Sequence, residues 1–184
     1  MTTNIEKLGG RFTFPGTSIS VNRMGYGAMQ LAGPHVYGPP RDPDAAAAVL
    51  RAAVAAGIDH IDTSDAYGPH VTNRLIRATL QPYPKSLVIV SKLGARRGAD
   101  AAWLPALSPA ELRSALEENR RNLGLAAIEI VNFRAMHQTP TEGPIEDELK
   151  VLIAMKQEGL IRHIGLSNVT ARQVKQAQKL TEIV

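Results

Sequence analysis

The chain has 184 residues, 44% hydrophobic and 21% charged, with no cysteine; these proportions exclude intrinsic disorder, a disulfide scaffold and a zinc–thiolate centre. Its 21 Lys and Arg against 17 Asp and Glu leave a net charge of +4, and only 4% of residues are aromatic. That is too little basic clustering and stacking surface for a nucleic-acid interface. No apolar run approaches the roughly 18 residues of a membrane span, and residues 1–7 lack the pattern of a signal peptide, so a cytoplasmic protein with no membrane attachment is expected.

Taken in chain order, the first expected element is a hairpin, Arg11 to Phe14 and Ser18 to Val21, joined through Pro15-Gly16-Thr17. Compact apolar runs then take turns with segments of helical period. Met24 to Met29 is the first run, followed by an irregular stretch rich in Gly and Pro. Asp42-Pro43 reads as an N-cap with proline at the first helical position, and the Ala-rich helix stops before Gly57. Ile58 to Thr63 is a second strand, Val71 to Leu80 a helix, and Leu87 to Val90 a buried strand. Ser108-Pro-Ala-Glu111 is a capping box opening a helix whose Leu112, Ala115, Leu116 and Leu123 share a face and which closes at Gly124. Ile128 to Met136 is strand four. Pro144 opens a helix with Leu149, Leu152 and Ile153 inward; Ile161 to Leu166 is strand five; Thr170 caps a helix carrying Val174, Ala177 and Leu180. Glu182 to Val184 reads as the start of a sixth strand.

Apolar strands each followed by a helix imply a parallel α/β sheet buried on both faces. Two architectures fit: a doubly wound sheet, complete with five or six strands, or a (β/α)8 TIM barrel, which needs eight. At roughly 31 residues per unit, eight units make about the 250 residues typical of a barrel. On that reading residues 1–184 are one domain, with a hairpin over 1–22 and strand–helix units over 23–184, truncated after the beginning of strand six. Such a piece would expose strand edges at strands one and six and be prone to self-association, and a chain truly ending at Val184 is expected to be impaired.

In either architecture the chemistry lies at the carboxyl ends of the strands. Those positions hold Ala28 and Met29, then Asp62 and Tyr67, Lys92, His137, and Ser167-Asn168. Neither GxGxxG nor GxxxxGK[ST] occurs, which weakens the doubly wound nucleotide-binding alternative, and no HExxH-like cluster suggests a metal. An acid, a phenol, an amine and an imidazole at one mouth suit proton transfer to a carbonyl oxygen. A phenol, with an unperturbed pKa of about 10, is a poor donor near neutrality unless an ammonium stabilises the phenolate. Lys92 can supply that charge, and Asp62 is its natural partner. Nothing in the set supplies a hydride, so a reduction would need a nicotinamide cofactor. Read alone, Asp62 is a turn cap, Tyr67 a loop anchor, Lys92 a snorkelling lysine and Ser167-Asn168 a helix cap, while His35, His60, His70 and His163 are structural or exposed.

The segments Met24-Gly-Tyr-Gly-Ala-Met29, Gly57-Ile-Asp-His-Ile-Asp-Thr-Ser-Asp-Ala-Tyr-Gly68, Ile89-Val-Ser-Lys-Leu93 and Gly159-Leu-Ile-Arg-His-Ile-Gly-Leu-Ser-Asn168 together resemble the aldo-keto reductases. The resemblance runs from about Ile19 to Val184. It implies a (β/α)8 barrel that binds NADP(H) without a Rossmann domain and reduces aldehydes or ketones, so the partner would be a small-molecule carbonyl compound. It further implies Tyr67 as general acid, Lys92 as the group that activates it, Asp62 as partner of Lys92, and His137 as substrate-orienting donor. Ser167 and Asn168 would hold the nicotinamide carboxamide, with Gly27, Ala28, Met29 and Asp62 lining the cofactor mouth. His137 is placed by counting eight residues on from Glu129, in unusual surroundings, and Asn73 is followed by Arg74 where the family often has Glu. A non-catalytic, cofactor-binding or regulatory member of the family is the alternative function.

Overall fold

A computed structural model describes residues 8–136 and 143–184. Two short strands, β1 (Arg11–Thr13) and β2 (Ser20–Asn22), pair antiparallel as the expected hairpin. Arg11 Nη1 donates to Asp59 Oδ2 at 2.8 Å, and the Asn22 amide donates to Asp59 Oδ1 at 2.8 Å. The hairpin is thereby tied to the amino end of the strand that follows Asp59.

The central sheet is parallel and contains β3 (Tyr26–Gly27), β4 (His60–Asp62), β5 (Val88–Leu93), β8 (Ile128–Arg134) and β9 (Ile161–Ser167). Strands β6 (Ala95–Arg97) and β7 (Trp103–Pro105) form a separate antiparallel pair between β5 and the next helix. Helices α1 (Pro43–Ala55), α2 (Val71–Leu80), α3 (Pro109–Leu123) and α4 (Glu146–Gln157) connect successive strands of the central sheet, and α5 (Ala171–Ala177) follows β9. The spatial order β3-β4-β5-β8-β9 repeats the chain order without reversal. A doubly wound sheet reverses direction at its switch point, whereas a barrel lays each strand beside the one before it. The fold is therefore the barrel type. A parallel bridge from Ile164 to Ile183, with the Val184 amide on the Ile164 carbonyl at 3.1 Å, continues the order into the expected sixth strand.

Local chemistry explains most helix boundaries. Asp42 Oδ1 accepts from the Ala45 amide at 2.9 Å, and Ser108–Glu111 and Thr170–Gln173 are both complete capping boxes. Gly124 closes α3 at φ 67°, a left-handed conformation that costs glycine little. The core between sheet and helices is aliphatic, with Leu50, Ile76, Leu112, Leu116, Leu149 and Leu152 fully buried.

Four expectations change. The first central strand is two residues rather than Met24 to Met29, because Ala28–Leu31 turns into a 3-10 helix that buries Ala28 and Leu31. Helix α4 begins at Glu146 rather than Pro144: Ile145 takes a non-helical φ/ψ, and Glu146, Asp147 and Glu148 occupy the first turn, where the helix dipole favours carboxylates. Leu180 lies beyond α5 and is 42% exposed, since the chain tightens at Lys179 and Leu180 to reach the bridge at Ile183. The pair β6–β7 has no counterpart in the expected elements, as residues 95–105 lack both alternation and helical period.

No described helix is long and apolar enough to cross a membrane.

Candidate active site

Strand register brings the expected residues to one end of the sheet. Asp62 and Lys92 end adjacent strands: Asp62 pairs with Val90 across the β4–β5 ladder, and Lys92 pairs with Asn132 across β5–β8. Alternation sends Ser91 and Leu93, both buried, toward the helices and Lys92 to the opposite face. There Lys92 Nζ forms an ion pair with Asp62 Oδ1 and donates to the Thr63 carbonyl at 3.1 Å. The lysine side chain is 11% exposed and the aspartate side chain 37%. The ammonium is thus withdrawn from solvent and the carboxylate faces the opening.

Tyr67 lies on the loop between β4 and α2 and is 4% exposed. Its amide donates to the Ser64 carbonyl at 3.0 Å, and Lys92 Nζ is 5.3 Å from its ring centre. Asp62, Tyr67 and Lys92 are therefore one cluster. Asp65, beside them, is held by side-chain amides: its Oδ1 accepts from Asn73 Nδ2 at 3.1 Å and Asn122 Nδ2 at 2.9 Å. Asn73 also accepts from Thr63 Oγ1 at 2.8 Å and donates to Asn119 Oδ1 at 3.0 Å, while Arg74 Nε donates to Asn122 Oδ1 at 3.1 Å. This buried amide network clamps the Tyr67 loop to α2 and α3. Asp65, His70 and Glu118 have ligand atoms within 4.8 Å of one another, beside a cavity of about 240 Å³ that Arg96 and Glu111 also line. Within that grouping His70 is hydrogen-bonded to Asp65, and also to Asn122 beside it.

Ser167 ends β9 and Asn168 follows it, both half-buried; Asn168 has φ 58°, and its Nδ2 donates to the Ala135 carbonyl at 2.5 Å. A hydroxyl and a carboxamide at the strand end are neutral groups suited to another amide. At the other side of the sheet Gly27 is exposed, with open space where a Cβ would stand, Met29 is exposed and Ala28 is buried in the core. His137 lies outside the described residues.

Three neighbours escaped the sequence reading. Trp103 on β7 meets Tyr67 edge to face, with centroids 6.2 Å apart. Arg97 on β6 lies 4.1 Å from the Trp103 ring centre and donates to the carbonyls of Val36 at 2.7 Å, His35 at 3.0 Å and Ala101 at 2.5 Å. Burial lowers its pKa; the Tyr37 phenol opposes that shift and the Arg134 charge adds to it. Arg134, at the end of β8, lies 4.7 Å from the same indole. Polar residues at alternate positions, Asn132 and Arg134, were the available signal in an otherwise apolar strand. His60, beneath Asp62, has its pKa lowered by burial, against the pull of Asp62 and Asp59 and with that of Lys92.

The aldo/keto reductase family model matches residues 23–184. Pyridoxine 4-dehydrogenase of Escherichia coli (strain K12) is 60% identical over 175 residues, covering 94% of this chain and 61% of that protein. Among solved structures, the glycerol dehydrogenase from Gluconobacter oxydans superposes with a TM-score of 0.81 at 23% identity, over 100% of this chain and 54% of that one. A holo aldo-keto reductase from Bacillus halodurans superposes with a TM-score of 0.78 at 22% identity, over 95% of this chain and 55% of that one. At those identities the two structures speak for the fold alone. The chain spans less than two thirds of the length of each of these relatives.

Proposed function

Because this chain belongs to the aldo/keto reductase family, we propose that it carries the proton-delivering half of an NADP-dependent oxidoreductase that interconverts an aldehyde or ketone with its alcohol. The single observation that carries this reading is the Asp62–Lys92 ion pair set beside the Tyr67 ring at the carboxyl end of the sheet. In this reading Tyr67 donates its proton to the carbonyl oxygen in the reductive direction. The Lys92 charge stabilises the phenolate left behind, and Asp62 holds the ammonium in place. The amide network under Asp65 fixes the loop, so the phenol does not have to be positioned anew at each turnover.

A nicotinamide cofactor, when bound, supplies the hydride that none of these side chains can. The donor set fits it: the Asn168 carboxamide and Ser167 hydroxyl match a carboxamide, and the open space over Gly27 leaves room at the mouth. Ser167, Asn168, Gly27 and Met29 would hold it there, with Asp62 facing the same opening; Ala28 supports that rim from the core. His137 remains the proposed second donor to the substrate oxygen. The pyridoxine–pyridoxal pair is the first substrate to test, given the 60% identity to a pyridoxine 4-dehydrogenase.

The deciding experiment is NADPH oxidation with pyridoxal and a panel of simple aldehydes, for the protein and for Tyr67→Phe. Carbonyl-dependent turnover that disappears in the variant while cofactor binding persists is the expected result. Cofactor binding with no turnover on any carbonyl would overturn the reading.

A further inference from the structure

Strand β8 carries an arginine that the proposed chemistry leaves unused. Asn132 pairs with Lys92, and Arg134, two residues on, pairs with Ser167 of β9. Alternation keeps Asn132 and Arg134 on the face that Lys92 occupies, while Val131 and Phe133 are buried on the other. Arg134 therefore stands between the proton-delivering group on one neighbouring strand and the carboxamide-holding residues on the other. Its guanidinium lies 4.7 Å from the centre of Trp103, the indole in edge-to-face contact with Tyr67.

The surroundings of Arg134 differ from those of other arginines. Arg97 spends its terminal nitrogens on three carbonyls, and Arg11, Arg113 and Arg120 each pair with a carboxylate. Arg134 Nε is buried without a hydrogen-bond partner, as Arg97 Nε is, but Arg97 has its three carbonyls, whereas among the described residues no carboxylate pairs with Arg134. Leaving a guanidinium donor buried and unmet is costly, and a second cation, Arg97, packs against the same ring. An acceptor from outside the chain would satisfy both the geometry and the charge. A planar guanidinium suits a two-oxygen anion better than a neutral carbonyl.

We propose that Arg134 receives an anionic group, a carboxylate or a phosphate, carried by the carbonyl substrate, so that the site selects acidic carbonyl compounds over neutral ones of the same shape. The assignment rests on the oxidoreductase reading for the word substrate, but the anion site itself can be tested without turnover. Trp103 is the chain's single tryptophan, so its fluorescence reports directly on an occupant beside Arg134.

The test titrates the protein with benzoate, phenyl phosphate and neutral benzamide, following Trp103 emission. Binding of at least one anion about tenfold or more tighter than benzamide is expected, the scale of a charge-assisted hydrogen-bonded pair. The tighter of the two anions identifies the group. Arg134→Met is expected to abolish the preference and Arg134→Lys to retain part of it; should the methionine variant fold poorly, the lysine variant and the ligand comparison on the unaltered protein still decide. With 4-carboxybenzaldehyde against benzaldehyde, the preference should appear in KM rather than kcat. Equal binding of benzamide and both anions, or an anion preference that survives Arg134→Met, overturns the assignment. Turnover without an anion preference sinks this assignment alone, whereas an anion preference without turnover on any carbonyl supports the Arg134 site and overturns the oxidoreductase reading.

Discussion

The ammonium of Lys92 and the carboxylate of Asp62 meet across two adjacent parallel strands, the lysine 11% exposed and the aspartate 37%. The pair is asymmetric: the cation is buried and depends on the anion, while the anion can be solvated from the opening. Asp62→Asn is therefore expected to cost about 1–3 kcal/mol by leaving a largely buried ammonium with the Thr63 carbonyl as its remaining partner. The double variant Asp62→Asn, Lys92→Met should regain much of that stability and none of the activity. Urea unfolding and NADPH oxidation measured on the same preparations check both halves.

Tyr67→Phe removes one oxygen from a 4% exposed side chain whose ring contact with Trp103 remains. Stability and Trp103 emission should hardly change, while the carbonyl-dependent rate falls by about 100- to 10,000-fold. Retained activity in the variant would remove Tyr67 as the acid.

Asn119 is buried at the centre of the polar network, accepting from Asn73 at 3.0 Å and from Ser91, and donating to the Ala115 carbonyl at 2.8 Å. Asn119→Leu should cost about 2–4 kcal/mol, because it strands buried donors on Asn73 and Ser91 at once. The shift in urea midpoint measures it, and a cost under 1 kcal/mol would mean the network relaxes around the loss.

Burial lowers the His60 pKa below 6.5 in the folded chain. The unfolded chain then takes up a proton first as pH falls, so this contribution to stability is fully present above pH 6.5 and is lost below it, toward the folded value. Asp62 and Asp59 limit the shift and Lys92 extends it. Unfolding free energy should fall on acidification through this window in the parent protein, and His60→Gln should flatten the slope.

Arg97 binds the carbonyls of His35 and Val36, while Val36 also accepts from the Gly68 amide at 3.2 Å. The guanidinium thus joins the 33–38 loop to the β6–β7 pair, while the Gly68 backbone ties the same loop to the Tyr67 loop. Arg97→Met is expected to speed proteolytic cleavage within residues 33–38 and to raise KM several-fold with little change in kcat. An unchanged cleavage rate would show that Gly68 and Gly38 hold the loop without it.

Strand–helix alternation, the three helix caps at Asp42, Ser108 and Thr170, and the identities of Asp62, Tyr67, Lys92, Ser167 and Asn168 as strand-end residues were determined by the sequence itself. Hydrophobic period and capping are properties of a few consecutive residues, and the resemblance rests on contiguous motifs. Periodicity left barrel and doubly wound sheet both open; the resemblance of the motifs implied the barrel, and the strand order β3-β4-β5-β8-β9 agrees with it. The pairing of Lys92 with Asp62 was legible as complementary charge, but its unequal burial depends on the β4–β5 and β5–β8 registers. Trp103, Arg97 and Arg134 became neighbours of Tyr67 only in three dimensions, because they come from a patternless hairpin and from the far end of another strand. Which cation at the mouth already has an anionic partner and which does not is a fact about spatial neighbours, and tertiary structure alone decided it.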